Sequence, residues 1–117
     1  MDELWFCGEV SAPDGLGALA PRLAGLSWPV EVWRSGFDGS EVLRAWKDPV
    51  HLDMEAGQGA GGLFSGTVDA DHDTALRLLA ELSDALREAG MRHRIELYDG
   101  TSGPLLDYLH HRWPRTE

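Results

Sequence analysis

Cysteine is almost missing from this sequence. Cys7 is the only one in 117 residues, so no intrachain disulfide can form and the chain does not read as a cross-linked secreted scaffold. Its setting, the apolar run Leu4-Trp5-Phe6-Cys7, points to an inert, buried thiol. Positive charge is also scarce. Asp and Glu number 20 against 10 Lys and Arg, a formal net charge of −10, and Lys47 is the only lysine. Affinity for nucleic acid independent of sequence comes mainly from cations that neutralise phosphates, so this balance excludes it, together with anionic membrane surfaces. No apolar stretch approaches the roughly 20 residues of a membrane span. The start, Met1-Asp2-Glu3, lacks the basic segment and apolar run of a signal peptide. The compartment expected is a reducing cytoplasm. Catalytic signatures are wanting too: Phe64-Ser65-Gly66 lacks the glycine two residues before the serine that a nucleophile elbow requires.

What is present begins with the distribution of charge. Up to Asp73 there are thirteen acids against Arg22, Arg34, Arg44 and Lys47. From Thr74 onward seven acids face six arginines. The acidity therefore belongs to the first two-thirds of the chain, and its natural complement is a cationic partner.

Hydrophobic residues make up 43 % of the chain, enough for a folded domain, and residues 1–117 read as a single α+β domain. Leu4 to Val10 alternates as a strand, with Leu4, Phe6, Gly8 and Val10 on one face and Trp5, Cys7 and Glu9 on the other. Leu16, Leu19, Leu23 and Leu26 recur at helical spacing, although Pro21 pushes the start of that helix towards Ala20. Val30 to Arg34, Val50 to Glu55 and Leu63 to Asp69 read as strands, the last two forming a hairpin, and Glu41 to Trp46 reads as a strand, with one helical turn capped by Ser40 as the alternative. Asp73 to Ala89 is the strongest element. It reads as a helix with Leu76, Leu79, Leu82 and Leu86 inward, Asp71 or Asp73 as its cap and Gly90 as its stop. Arg92 to Tyr98 reads as a strand. Pro104 to Trp113 reads as a short C-terminal helix, with Leu105, Leu106, Leu109 and Trp113 as its apolar set and Pro114 ending it. This order implies a mainly antiparallel sheet with two longer helices packed on one face. The expected arrangement is ferredoxin-like, or a related α/β sandwich, with an added hairpin.

Four sets of residues invite functional readings. Gly57-Gln58-Gly59-Ala60-Gly61-Gly62 contains G-x-G-x-x-G, but a strand rather than a helix follows and no acid sits where the ribose contact belongs, so a hairpin loop is the better reading. His51, Asp53 and Glu55 share a strand face, and their side chains suit a transition metal. Alternate strand positions lie about 7 Å apart, which favours a solvated face over a shared ion. Asp69, Asp71, His72 and Asp73 crowd the start of the long helix, a set that suits a metal or acid/base site, but capping accounts for Asp71 or Asp73 and a turn for the rest. His110 and His111 would diverge by about 100° on a helix.

The collective pattern says more. If the apolar strand faces carry the helices, the opposite face gathers Trp5, Glu9, Glu31, Trp33, His51, Asp53, Glu55, Arg94, Glu96 and Tyr98. Aromatic residues among charges are typical of interface hot spots, and carboxylates with aromatics suit Arg and Lys side chains. The competing expectation is that the C-terminal helix folds back over the aromatics. The leading functional expectation is a small acidic protein-binding module, of the inhibitor or immunity type, that neutralises a basic toxin or enzyme and needs no cofactor. A ligand-binding or metal-dependent enzyme domain using His51, Asp53 and Glu55 is the second reading, and a homo-oligomeric structural domain the third.

Overall fold

The computed structural model describes residues 3–11, 15–26, 28–34, 36, 41–56, 61–100 and 103–112. Its elements are β1 (Leu4–Ser11), a 3-10 turn (Leu16–Ala18), α1 (Ala20–Ala24), β2 (Val30–Arg34), β3 (Glu41–Lys47), β4 (Val50–Ala56), β5 (Gly61–Val68), α2 (His72–Glu88), β6 (His93–Tyr98) and β7 (Leu105–His111). The protein is thus α+β, with one seven-stranded sheet in the order β2-β3-β4-β5-β1-β6-β7. Every neighbouring pair is antiparallel. β2 to β5 follow one another as a meander, and β1 inserts between β5 and β6. A four-stranded ferredoxin-like order is therefore not reproduced strand for strand.

Alternation along the strands sets the core. Leu4, Phe6 and Val10 of β1, Leu43 and Ala45 of β3, Leu52 and Met54 of β4, Phe64 and Val68 of β5, and Ile95 and Leu97 of β6 all face the same way. They join Leu16, Leu19, Leu23, Leu79, Leu82 and Leu86 in one buried cluster. Glycine makes part of this packing possible. Phe6 pairs with Gly66 and Phe64 with Gly8, and the two phenyl rings lie 6.3 Å apart. A Cβ on Gly66 would meet the Phe6 ring at 2.6 Å and the His51 carbonyl oxygen at 2.0 Å. Each ring thus occupies space that only its glycine partner leaves free.

α2 forms where its caps and leucine spacing predict. Asp71 is the N-cap, its carboxylate accepting from the Thr74 amide at 2.8 Å. The Thr74 bond, first of all, holds the Asp71 carboxyl below its ordinary range. Gly90, with φ of 74°, supplies the left-handed residue just beyond the helix. The inward face is turned slightly from the expected one: Ala75, Leu78, Leu79, Leu82 and Leu86 are buried, whereas Leu76 is only half-buried.

Two helical expectations need correction. The second longer helix is a 3-10 turn followed by the five residues of α1, because Pro21 lacks the amide needed inside a helix and sits instead in its first turn. The C-terminal helix is a strand. β7 covers the outer edge of β6, with His93 opposite His111, Ile95 opposite Leu109 and Leu97 opposite Asp107. The backbone groups along β6 need partners, and the segment from Pro104, whose carbonyl accepts from the Asp99 amide, lies alongside in antiparallel register. Trp113 and Pro114, assigned to that helix in sequence, lie outside the described residues, as do residues 57–60 of the glycine-rich segment. Gly61 and Gly62 open β5, so a strand does follow the glycines.

Candidate functional site

α1, α2 and the 3-10 turn all pack on the Phe6 face of the sheet. The other face carries the alternate residues, and antiparallel register aligns them in three rows. The first row runs Trp46, His51, Thr67, Trp5 and Tyr98. The second runs Glu31, Arg44, Asp53, Ser65, Cys7, Glu96 and Tyr108. The third runs Val42, Glu55, Leu63, Glu9, Arg94 and His110. Trp33 stands opposite Val42 in β2, but its side chain lies outside the described residues. Every other residue expected on this face is in one of the rows, and the described part of the C-terminal segment, β7, lies at the sheet edge and does not form a helix over them.

The β1–β6 end is an ordered network. Arg94 donates through Nη2 to Glu9 Oε1 at 2.6 Å, and its Nη1 lies 3.2 Å from Glu96 Oε1. The same Glu96 oxygen accepts from the Tyr98 hydroxyl at 3.0 Å and from the Cys7 thiol at 3.5 Å. Partial burial alone would lower the Arg94 guanidinium; its bonds to Glu9 and Glu96 outweigh that and raise it. Burial, followed by the bond to Glu96, pushes the Tyr98 hydroxyl up. The same two causes push Cys7 up to about 11. A thiol so held is protonated at neutral pH and is a poor nucleophile. The expectation of an inert thiol agrees with this, but its place does not: Cys7 is half-buried on the open face rather than sunk in the core. Beside this network the Trp5 and Tyr98 rings lie 5.5 Å apart.

In the β3–β5 region the hydrogen bonds between described side chains of this face are fewer. Arg44 Nε donates to Asp53 Oδ1 at 2.9 Å, with both side chains well exposed, an arrangement that contributes little to stability. His51 and Glu55 are exposed. Between the two regions lies an open groove of about 420 Å³, lined by Val42, Asp53, Glu55, Leu63, Ser65, Cys7 and Arg94. Leu63 stands between Glu55 and Glu9 in register and is 45 % exposed.

His51, Asp53 and Glu55 share the face but do not converge. Among the described residues no group of three His, Cys, Asp or Glu side chains is placed to hold a metal ion. His110 and His111 point to opposite faces of β7, not to adjacent positions on a helix. His110 aligns with Arg94 on the open face, and His111 lies near the buried His93, their ring centroids 5.9 Å apart. At the start of α2, Asp71 caps and His72 pairs with Asp107 of β7. Sequence reasoning missed Val42, Arg44, Trp46, Leu63, Ser65, Thr67, Tyr108 and His110 as members of the open face. The faces of Glu41–Lys47 and Leu63–Val68 could have been found by extending the alternation from Val50–Glu55. The face of β7 could not, because its leucines also fit a helix.

No model of a known protein family matches this chain, and no curated protein matches it significantly. Among the described residues no helix is long and apolar enough to cross a membrane.

Proposed function

We propose that this protein is a small binding module that recognises a basic protein through the open face of its sheet, acting as an inhibitor or immunity-type protein that neutralises a basic toxin or enzyme by occupying its surface. One observation carries the reading: Glu9, Glu31, Asp53, Glu55 and Glu96 share, with Trp5, Trp46, Tyr98 and Tyr108, the face of the sheet on which no helix of the described residues packs. Against five carboxylates the same rows hold the guanidinium groups of Arg44 and Arg94 alone. A negative field of this kind speeds encounter with a positively charged partner. Half-buried aromatic rings supply contact area once the partner has docked. The compartment that fits is a reducing cytoplasm, where a single thiol meets no oxidising machinery.

Affinity capture from a lysate of the source organism tests this reading with three baits. These are the native protein, the open-face variant Glu31→Lys/Glu55→Lys, and a charge-matched variant on the outer side of α2, Asp84→Lys/Glu88→Lys. The expected result is one basic protein retained at low salt by the native and α2 variants, lost by the open-face variant and released as salt rises. Retention by the open-face variant, or a captured protein that is not basic, contradicts the reading. Light scattering that finds a stable dimer buried through this face would replace it with self-association.

A further inference from the structure

We infer that the groove at the centre of the open face receives an arginine side chain of the basic partner. The inference rests on the docking role proposed for this face and adds which side chain enters and where. A volume of about 420 Å³ lies near the lower end of the roughly 300–1,000 Å³ that ligand sites occupy, which suits one long side chain.

The groove's chemistry is mixed in the way a guanidinium on an aliphatic stem requires. Val42 and Leu63 are apolar, and Leu63 is 45 % exposed although it stands at the middle of the sheet. Glu55 lies between them in register and makes no ion pair or hydrogen bond among the described residues. Asp53 spends Oδ1 on Arg44, and its second oxygen can still accept. On the opposite wall Arg94 is already clamped by Glu9 and Glu96, so its charge is answered before a ligand arrives. Around the groove four carboxylates face two guanidinium groups, and one further cation improves the balance.

The protein displays the geometry such a ligand would copy. Arg94 sits between two carboxylates on this same face, with contacts of 2.6 and 3.2 Å. A second guanidinium between Glu55 and Asp53, its stem on Leu63, repeats that arrangement on the other side of the groove. Arginine fits better than lysine. Its planar fork can bridge two carboxylates, and it gives up water more readily than an ammonium does.

Titration of the isotope-labelled protein with hexa-arginine and with hexa-lysine, followed by amide NMR, tests the inference. Saturable shifts are expected at Asp53, Glu55, Leu63 and Ser65, with hexa-arginine binding the tighter. Glu55→Gln and Leu63→Ala should each weaken hexa-arginine about fivefold, while Glu88→Gln on α2 leaves the affinity unchanged. Circular dichroism confirms that each variant is folded. Equal binding of the two peptides, or equal weakening by Glu55→Gln and Glu88→Gln, means diffuse charge attraction and overturns the inference. Shifts at Trp5, Trp46 and Tyr98 without the groove residues also overturn it, yet leave the docking face standing. Shifts confined to α2 overturn both.

Discussion

The two faces of this sheet are made by the same strands, residue by residue in turn, and they solve opposite problems. Phe6 is fully buried while its neighbours Trp5 and Cys7 are half-exposed. On the covered face apolar side chains interlock with the leucines of α1 and α2; among the described residues the buried Trp28 indole Nε1 has no hydrogen-bond partner, whereas the buried serine and histidine are tied down. His93 and Ser83 are buried there, with Ser83 Oγ 2.7 Å from His93 Nε2 and His93 Nδ1 3.0 Å from the Met91 carbonyl. A carbonyl only accepts, so Nδ1 carries the proton and Nε2 accepts from the serine hydroxyl. On the open face polar groups are partly paired and partly left to solvent. Interior positions follow packing; the open face keeps acids and aromatic rings that packing does not require. That difference is what makes the open face the functional candidate.

The largest effect that could break this comparison comes from adjacent residues of β1. Phe6→Ala should cost about 3–5 kcal/mol, because it leaves a cavity in the core. Trp5→Ala should cost about 1 kcal/mol, since its main partner is the Tyr98 ring. Urea denaturation measures both, and similar costs would mean that the faces are energetically alike.

Next comes the buried polar pair. Ser83→Ala removes the donor to His93 and should cost about 1–3 kcal/mol. The same site predicts a pH dependence. Burial, first of all, lowers the His93 imidazole below its ordinary 6.5, despite the favourable bond to Met91, and His111, Arg87 and His110 add to the lowering. The unfolded chain therefore binds a proton near pH 6.5 while the folded chain still refuses it. This contribution to stability is complete above pH 6.5 and is lost as pH falls from there through the depressed folded value. His93→Gln should flatten that part of the stability profile, as denaturation at a series of pH values would show.

A smaller effect separates the two ends of the open face. Glu96→Gln weakens the acceptor shared by Arg94, Tyr98 and Cys7 and should cost about 1–2 kcal/mol. Alkylation of Cys7 reads the same network. With its thiol held at about 11, against 9.0 for an unperturbed one, the thiolate fraction at pH 8 falls about a hundredfold. Reaction with iodoacetamide should be correspondingly slow and should speed up in Glu96→Gln. The smallest stability effects belong to Glu55→Gln and Leu63→Ala, expected within about 0.5 kcal/mol of the native protein. A large loss would make these residues structural and remove the contrast on which the functional reading depends.

Much of this architecture is legible in the sequence, and the failures have identifiable causes. Strict alternation in Leu4–Val10 and Val50–Glu55 states both the strands and their faces, and Asp71 with Gly90 brackets α2 almost to the residue. Leu105, Leu106 and Leu109 mislead because a leucine trio fits either period. What decides between them is the unsatisfied edge of β6, which is a tertiary fact. Leu76 and Leu79 are likewise both plausible inward positions until the sheet determines how the helix rolls. The open face could be assembled from alternation alone as far as Trp5, Glu9, Glu31, His51, Asp53, Glu55, Arg94, Glu96 and Tyr98. Its rows could not, because strand order and register decide that Leu63 stands between Glu55 and Glu9 and that Glu96 meets Cys7, Arg94 and Tyr98.

The central claim is that the open face binds a basic protein while the covered face holds the fold. The association rate with the captured partner tests it most directly, measured at low and high salt for the native protein, Glu31→Lys/Glu55→Lys and Asp84→Lys/Glu88→Lys. The account predicts an association rate that falls steeply with salt for the native protein and at least tenfold slower binding at low salt for the open-face variant, with a much smaller change for the α2 variant. Equal slowing by the two variants, or a rate indifferent to salt, would contradict it.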